Sequence, residues 1–259
     1  MTSTATSSAR SATVLVVQHE ASTGPGWFGG WLEAAGVTLD VAHPYLGAEL
    51  PEITRYDGVL VLGGAMGPAD DDRCPWLPAT RALMSEAVDR SVPMFGICLG
   101  GELLALACGG AVARGQRGPE LGVHPVHLRP EAADDPVFGG LPATAPVVQW
   151  HWEEITELPP AAVWLGSGTA YSHQAFRVGP AAWGVQGHPE VTAAIAAAWA
   201  REDSPLLVAA GVRPEALVAE IAAAERALTE TWAPLAARFA DVVVAGARAR
   251  VEGCQDDQP

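Results

Sequence analysis

The 259-residue sequence contains no lysine, because all fifteen of its basic residues are arginine. A Walker A phosphate loop, whose lysine contacts the phosphates, is therefore excluded. A Schiff base with a carbonyl substrate and the catalytic apparatus of a protein kinase are excluded for the same reason. The net charge of −15 argues against binding to nucleic-acid phosphates or to an anionic membrane. We therefore expect no nucleic-acid partner and no membrane partner.

Cysteine and long apolar runs are also scarce. The four cysteines lie far apart and form no CxxC motif, so neither a disulfide framework nor a zinc site is indicated. Residues 1–12 are small and polar, which is typical of a disordered tail rather than of a signal peptide. The longest apolar stretches, such as residues 193–200, are too short to span a bilayer. Together these features predict reduced cysteines and a cytoplasmic location.

Short β-rich segments alternate with helical patterns in the first 110 residues. This alternation predicts an α/β fold with a mostly parallel central sheet and helices on both faces. The strand segments are compact apolar runs, as expected for strands buried on both sides. The expected strands are 13–18, 37–42, 58–62 and 92–97, and the expected helices are 27–35, 80–90 and 99–107.

The second half of the chain has shorter strand-like segments, at 123–128, 147–150, 163–166 and 182–186, separated by loops rich in proline and glycine. From Thr192 onward the sequence is rich in alanine, and Pro205, Pro214 and Pro234 should separate about three helices. We expect one core domain over residues 13–200. Extra helices at 201–250 should pack on it, or form a cap or a surface for a homo-oligomer. Residues 251–259 should be a frayed tail.

The segment around Cys98 is the most informative in the sequence. A buried strand runs through Gly-Ile-Cys-Leu-Gly, residues 96–100, directly into a helix. Glycines two residues before and after a reactive residue are typical of a nucleophile elbow, whose central residue has a strained backbone. A helix N-terminus there would favour the thiolate of Cys98. An isolated cysteine is usually a small core residue, but this context favours a nucleophile.

A cysteine nucleophile needs a base, and the base needs an orienting group. Among seven histidines, His188 also follows a strand, so it should meet Cys98 at one edge of the sheet. Glu190 could accept a hydrogen bond from its imidazole, or could serve only as a carboxylate at a helix N-terminus. His151, among bulky aromatic residues, could line a pocket or be packed in the core. The other histidines carry weaker signals.

An acyl-transfer site also needs donors for an oxyanion. The backbone N–H of Leu99, directly after the nucleophile, is one candidate. Gly64 follows another predicted strand in the sequence Leu-Gly-Gly-Ala and could present a second. A phosphate cradle is an alternative for this loop, but the sequence has neither lysine nor a GxGxxG pattern to support it.

Four motifs together resemble the class I, or triad, glutamine amidotransferases, whose fold is flavodoxin-like. They are Gly-Gly at 63–64, GICLG at 96–100, QWH at 149–151 and GVQGHPEV at 184–191. Their order and spacing agree over residues 13–195, and the chain looks most like the stand-alone proteins related to the glutaminase domain of GMP synthase. The resemblance implies that Cys98 attacks a γ-glutamyl amide, that His188 moves the proton and that Glu190 orients His188. Gly63, Glu102 and His151 are the expected substrate-binding residues.

The implied reaction needs no metal ion and no cofactor. It forms a γ-glutamyl thioester and releases ammonia, which the family passes to a synthetase domain or partner. No synthetase is present in this sequence. A synthetase or other acceptor-enzyme partner is thus one possibility that the resemblance implies.

Two positions depart from the family pattern. Glu102 stands where the family usually has glutamine, which removes a donor and adds a charge. The γ-glutamyl hydrolases resemble this chain in having glutamate there. Gly187 stands where an aromatic residue usually precedes the His-Pro-Glu triplet, and its small size should open space beside His188. Both changes favour a leaving group larger than ammonia, unless they are neutral drift.

Three functional hypotheses follow. The first is cysteine-dependent hydrolysis of a γ-glutamyl amide, either glutamine or a larger γ-glutamyl conjugate. The second is a non-catalytic binding or regulatory relative, against which the intact Cys-His-Glu set argues. The third is another cysteine hydrolase on a flavodoxin-like fold, against which the His-Pro-Glu triplet argues.

Overall fold

The computed structural model describes the backbone of residues 11–256 and the side chains of residues 11–250. Within that part of the chain, eleven strands and six α-helices build one α/β structure. The strands are β1 Thr13–Val17, β2 Thr38–Ala42, β3 Gly58–Val61, β4 Met94–Ile97, β5 Ala111–Arg114, β6 Glu120–Leu128, β7 Thr144–His151, β8 Glu153–Glu157, β9 Ala162–Ser167, β10 Ala175–Val178 and β11 Ala182–Val185. The helices are α1 Gly26–Ala34, α2 Leu77–Asp89, α3 Leu99–Ala107, α4 Ala193–Glu202, α5 Ser204–Ala209 and α6 Pro214–Asp256.

The main sheet has two halves that differ in strand direction. Its order is β2-β1-β3-β4-β11-β10-β9-β6-β7. The first five strands pair in parallel, and the pairs from β11 to β7 are antiparallel. Strands β5 and β8 form a separate two-stranded ribbon. The predicted α/β fold is confirmed, and its parallel part is the half that carries the Cys98 elbow.

Helices cover both faces of the parallel half, as predicted. Alternate residues of β1 face opposite sides: Val14 and Val16 pack with α1 and α6, whereas Leu15 and Val17 pack with α2 and α3. This arrangement explains the unbroken apolar sequence of β1, because both faces of the strand are buried. Phe95 of β4 anchors the first layer by stacking on Phe28 with ring centroids 4.9 Å apart.

The C-terminal region contains three helices, but Pro234 does not separate two of them. It lies inside α6, which continues for 43 residues, so the prediction of a helix boundary there was wrong. A proline inside a helix costs about 3 kcal/mol because it removes a hydrogen bond and crowds the preceding turn. Trp232, Leu235 and Phe239, on both sides of the proline, are fully buried in the core. Their burial offsets this cost and holds the helix continuous.

Both predicted tails lie partly outside the described residues. Residues 1–10 of the predicted N-terminal tail and residues 257–259 of the C-terminal tail lie outside the described residues. Helix α6 ends at Asp256, so the segment predicted to be frayed from residue 251 begins inside a helix. Among the described residues, no helix is both long and apolar enough to cross a membrane. In the same part of the chain, no group of three or more histidine, cysteine or acidic residues is placed to hold a metal ion.

Candidate active site

Cys98 occupies the sharp turn between β4 and α3. Its backbone has φ 51° and ψ −110°, a region that residues other than glycine rarely adopt. A Cβ at position 96 would lie 2.5 Å from the carbonyl oxygen of Gly100, and a Cβ at position 100 would lie 2.1 Å from that of Val61. The predicted elbow is therefore present, and its two glycines are required by close backbone contacts. The Cys98 side chain is 6% exposed and lines a cavity.

His188 and Glu190 form a buried pair at the same edge of the sheet. The Nδ1 of His188 lies 2.7 Å from Oε1 of Glu190, and both side chains are 3% exposed. If Glu190 is ionised it can only accept, so Nδ1 carries the hydrogen and Nε2 of a neutral ring is an acceptor. Among the described residues, Nε2 has no hydrogen-bond partner. His188 thus presents an unused proton acceptor in the cavity that Cys98 lines.

The backbone of Gly63 lies between Cys98 and His188. A Cβ at this position would lie 3.0 Å from Cε1 of His188 and 3.6 Å from the Cβ of Cys98. Glycine therefore lets the predicted nucleophile and base approach the loop after β3 from two sides. Strands β4 and β11 are parallel neighbours, with Ile97 paired to Val185, which explains why both residues reach one edge.

Two features that the sequence analysis missed fix the His188–Glu190 pair. Helix α1 begins against it: the Trp27 N–H donates to the carbonyl oxygen of Glu190 at 2.9 Å. Gly26 has φ +48°, and a Cβ there would lie 2.1 Å from the same oxygen. The ring of Trp199 meets His188 edge-on, with centroids 4.8 Å apart. The sequence signals for these contacts are weak, because Gly26 and Trp199 lie far from the His-Pro-Glu motif.

The two predicted oxyanion donors lie beside one another. Leu99 directly follows Cys98 and is the first residue of α3. Gly64 lines the cavity, and a Cβ there would touch the Leu99 side chain at 3.1 Å. The Glu20 carboxylate accepts from the N–H of Ala65 at 3.0 Å and holds this loop. The two residues predicted to supply oxyanion donors therefore lie against each other at the cavity.

The electrostatics of Cys98 differ from the sequence expectation. Burial, followed by the negative charges of Glu102 and Glu190, holds the pKa of the Cys98 thiol well above its usual range. The hydrogen bond from Leu99 acts in the opposite direction and is a smaller effect. The raised pKa favours the protonated thiol, in contrast to the thiolate that the helix N-terminus was expected to favour. Attack requires a base to remove the proton, and Nε2 of His188 is free to do so.

Glu102 lies on the first turn of α3 and lines the same cavity. It is 3% exposed and accepts a hydrogen bond from Nε2 of Gln186 at 2.8 Å. Burial raises its pKa to about 7, while the bond from Gln186 and the nearby His151 partly oppose this shift. Near neutral pH Glu102 therefore exists in both forms, and its neutral form can donate a hydrogen bond as the amide of glutamine would.

A buried polar network surrounds His151. Its Nδ1 bonds to the Glu153 carbonyl oxygen at 2.7 Å, and its Nε2 bonds to Glu120 Oε2 at 3.1 Å. Gln174 donates to the same carboxylate at 3.0 Å and accepts from Gln149 at 2.7 Å. Both partners of the imidazole are oxygens, so each ring nitrogen faces a hydrogen-bond acceptor. Glu120 and Gln174 were not predicted as site residues.

The cavity that these groups share has a volume of about 160 Å³. Five carboxylates line it, against one arginine and two histidines. Arg114 is already paired with Glu153 at 3.0 Å. The lining residues are Glu20, Thr23, Gly64, Ala65, Met66, Cys98, Glu102, Arg114, Trp150, His151, Trp152, Glu153, His188, Trp199, Glu202, Asp203 and Leu206.

The structure therefore brings the predicted site residues together. Cys98, His188, Glu102, His151 and Gly64 line the cavity. The remaining three stand directly behind these residues; they are Gly63, Leu99 and Glu190.

The predicted open space beside Gly187 is absent. A Cβ on Gly187 would lie 2.8 Å from both methyl groups of Val147 and 3.2 Å from Oε1 of Gln149. Side chains of β7 thus occupy the space that an aromatic side chain at position 187 would take. The prediction that Gly187 enlarges the site was wrong, because a neighbouring strand packs against the missing side chain.

The family model for class I glutamine amidotransferases matches residues 32–198, which is more than half of the chain. Together with the fold and the arrangement around Cys98, this match shows that the chain belongs to the class I glutamine amidotransferase family. The predicted resemblance is confirmed at that level.

Individual relatives differ in function. Gamma-glutamyl peptidase 5 of Arabidopsis thaliana is 29% identical over 54% of this chain and 55% of its own length. A glutamine-hydrolysing GMP synthase subunit of Haloarcula marismortui is 34% identical over 54% of this chain and 68% of its own length. A glutamine amidotransferase from Thermotoga maritima has a similar crystal structure. It has a TM-score of 0.80 and 26% identity, and the similarity covers 90% of this chain and 99% of that one. The chain spans little more than half the length of the peptidases that it matches.

Proposed function

We propose that this protein hydrolyses a γ-glutamyl amide through a thioester on Cys98. The observation that carries the proposal is the free Nε2 of His188, whose Nδ1 is bonded to Glu190, in the cavity lined by the strained Cys98. A nucleophile, a base and an orienting carboxylate are the three parts that covalent acyl transfer needs.

The steps follow from the protonation states. Nε2 of His188 takes the proton of the Cys98 thiol as the sulfur bonds to the γ-carbonyl carbon, and backbone N–H groups of Gly64 and Leu99 stabilise the oxyanion. The C–N bond then breaks, and the leaving amine takes the proton from His188. Water, deprotonated by His188, attacks the thioester and releases glutamate and the Cys98 thiol. Glu190 keeps the ring in the required tautomer throughout.

The glutamyl part would bind at the inner end of the cavity. In this proposal Glu102 holds the α-ammonium, and His151 is a donor for the α-carboxylate. Gly63, whose backbone lies against both Cys98 and His188, would contact the glutamyl side chain through its backbone. Because Gly187 does not open extra space, the preference for a larger leaving group rests on the open end of the cavity and on Glu102.

The test is an assay of purified protein with glutamine and with γ-glutamyl amides of small amines, and it measures released glutamate. Activity that disappears in Cys98→Ala supports the proposal. A Cys108→Ala variant is the matched control, since Cys108 belongs to the core outside the cavity. Absence of turnover on every γ-glutamyl amide, with wild-type protein shown to be folded, would contradict the proposal.

A second candidate function is a glutaminase that supplies ammonia to a synthetase partner. The similarity to a glutamine-hydrolysing part of a GMP synthase favours it. Glutamine turnover that is slow alone and rises on mixing with a synthetase would support this alternative. A third, non-catalytic role predicts that Cys98 resists labelling by a glutamine-like electrophile, whereas both enzymatic functions predict labelling.

We also propose a reducing, cytoplasmic location. Cys74, Cys98 and Cys108 are free thiols, which is the usual state of cysteine in that compartment. Homo-oligomer formation stays a prediction, which size-exclusion chromatography with light scattering can test.

A further inference from the structure

The outer end of the cavity carries three carboxylates without a basic partner. Glu20, Glu202 and Asp203 line it, and none of them has an ion pair among the described side chains. Their hydrogen bonds go to neutral donors: Glu20 accepts from the Ala65 N–H, and Asp203 accepts from Nε1 of Trp150 at 2.8 Å. The three groups therefore concentrate uncompensated negative charge at the cavity.

These carboxylates are close enough to act on one another. The pKa of Glu20 is raised, first by burial and then by the negative charges of Glu202 and Asp203. The charges acting on the Cys98 sulfur are a different set, namely Glu102, Glu190 and Glu153. The cavity thus has an inner acidic group beside the nucleophile and an outer acidic group, formed by Glu20, Glu202 and Asp203. A cation bound at the outer group would relieve the repulsion there.

An apolar path connects the two groups. Trp199 touches the His188 ring at one end and packs against Trp150 with centroids 5.6 Å apart. Leu206, at the start of α5, also lines the cavity and is 53% exposed, which is unusual for a large apolar side chain. A chain of methylene groups leaving the γ-glutamyl carbonyl would cover this surface. The buried and unpartnered Nε2 of His188 marks the inner end of the path, where the leaving nitrogen would be protonated.

We propose that the outer acidic group is a leaving-group subsite for aliphatic amines that carry a second positive charge, so that the substrates are γ-glutamyl conjugates of diamines or polyamines. This inference rests on the proposed γ-glutamyl amide hydrolysis. The inner nitrogen of the diamine forms the scissile amide above Cys98. The distal ammonium lies among Glu20, Glu202 and Asp203, and its alkyl chain lies along Trp199 and Leu206.

Water is the only reactant that the reaction needs besides the conjugate. The sulfur of Cys98 bonds to the γ-carbonyl carbon, the amide C–N bond breaks, and the diamine leaves with the proton that His188 took from the thiol. Water then cleaves the thioester to glutamate and restores the thiol. A leaving group with a carboxylate, such as glycine in a γ-glutamyl dipeptide, would be repelled by the same outer acidic group.

The experiment compares substrates that differ only in the charge of the leaving group. They are the γ-glutamyl amides of putrescine, of n-butylamine and of γ-aminobutyrate, with glutamine as the small reference. We expect kcat/KM for the putrescine amide to exceed that for the butylamine amide by about tenfold, with the γ-aminobutyrate amide the poorest. The preference should shrink as sodium chloride is added, because salt screens partly exposed charges.

Variants assign the preference to the outer acidic group. Glu202 is exposed, and in Glu202→Gln the ratio of kcat/KM for the putrescine amide to kcat/KM for the butylamine amide should fall about twofold to fivefold. Glu20→Gln combined with Glu202→Gln should lower the ratio further, and only the negative charge of Asp203 then remains in the outer acidic group. Glu33→Gln on α1 removes an exposed carboxylate outside the cavity and serves as the matched control, with an unchanged ratio.

The possible failures are distinguishable. If the neutral and cationic amides are hydrolysed equally well, or the anionic amide is preferred, the leaving-group subsite is overturned while γ-glutamyl hydrolysis stands. If none of the four substrates is hydrolysed, both the subsite and the proposed function are overturned. A cationic preference that Glu202→Gln leaves intact, even together with Glu20→Gln, also contradicts this assignment.

Discussion

In the parallel half of the sheet, β4 and β11 lie side by side and carry Cys98 and His188 to one edge. The antiparallel half lines the same cavity with Trp150 and His151 of β7, and Glu120 of β6 lies behind His151. The first half contributes residues from two short local motifs. The second contributes the network around His151, in which Glu120 is 31 positions away from its partner and Gln174 is 54 positions from Glu120. The comparison indicates that short sequence motifs are enough to identify Cys98 and His188, whereas strand pairing decides which residues surround them.

The largest expected effect comes from the parallel half. Cys98→Ala should abolish γ-glutamyl hydrolysis, and His188→Ala should lower kcat by on the order of a thousandfold or more, since each removes a group that acts in the reaction itself. Steady-state release of glutamate measures both variants. If His188→Ala keeps more than a tenth of the wild-type kcat, His188 is not the base, and the parallel half does not supply both the nucleophile and the base.

A smaller effect is expected in the antiparallel half. Glu120→Gln alters the buried carboxylate that contacts His151 and Gln174 and should cost about 1–3 kcal/mol of stability, because the buried polar network is left incompletely satisfied. Urea denaturation measures this loss, and kcat/KM should fall about tenfold as His151 becomes less well positioned. Glu157→Gln, at an exposed position of β8, is the control. An unchanged unfolding midpoint for Glu120→Gln would show that the network does not support the antiparallel half.

Glu102, which the two halves enclose, should give a pH-dependent effect. Its pKa is about 7 in the folded protein against an ordinary 4.5, so the fold favours the neutral form. The stability that this group contributes is complete below pH 4.5 and is lost progressively as the pH rises to about 7. The difference in free energy of unfolding between Glu102→Gln and wild type should therefore shift in favour of the variant as the pH rises from 4.5 to about 7. Above pH 7 this shift should reach about 3 kcal/mol.

The same variant tests the coupling between Glu102 and the nucleophile. Removing one of the negative charges that raise the pKa of Cys98 should shift the pH profile of iodoacetamide labelling of Cys98 to lower pH. A Glu102→Asp variant keeps the charge and should leave the profile closer to wild type. A labelling profile identical in Glu102→Gln and wild type would disprove the coupling.

The smallest expected effect is at the contact between the halves. Gly187→Ala pushes a methyl group against Val147 of β7 and should cost about 1–3 kcal/mol, as other overpacked positions do. Combining it with Val147→Ala makes room, so the two changes together should cost less than the sum of the single ones. Strict additivity in thermal unfolding would mean that Gly187 and Val147 are not in contact.

The sequence allowed prediction of the parallel half in some detail, since strands buried on both faces have unbroken apolar runs and the elbow has glycines at fixed spacing. It also identified His188 and Glu190, which lie two positions apart. It could not reveal Glu120 or Gln174, because nothing near either residue indicates the strand pairing that brings it to His151. The errors at Gly187 and Pro234 have the same origin: in each case, packing from a distant part of the chain decided the local outcome.

Helix α1, which contacts Glu190, begins before the segment that matches the family model. The family match begins at residue 32, yet Gly26 and Trp27 hold the backbone of Glu190, and β1 lies between β2 and β3. A fragment cut at the start of the match would lose a central strand and the backbone contact that holds Glu190. The smallest unit that can be expressed with an intact fold therefore extends upstream of the segment by which its relatives are recognised.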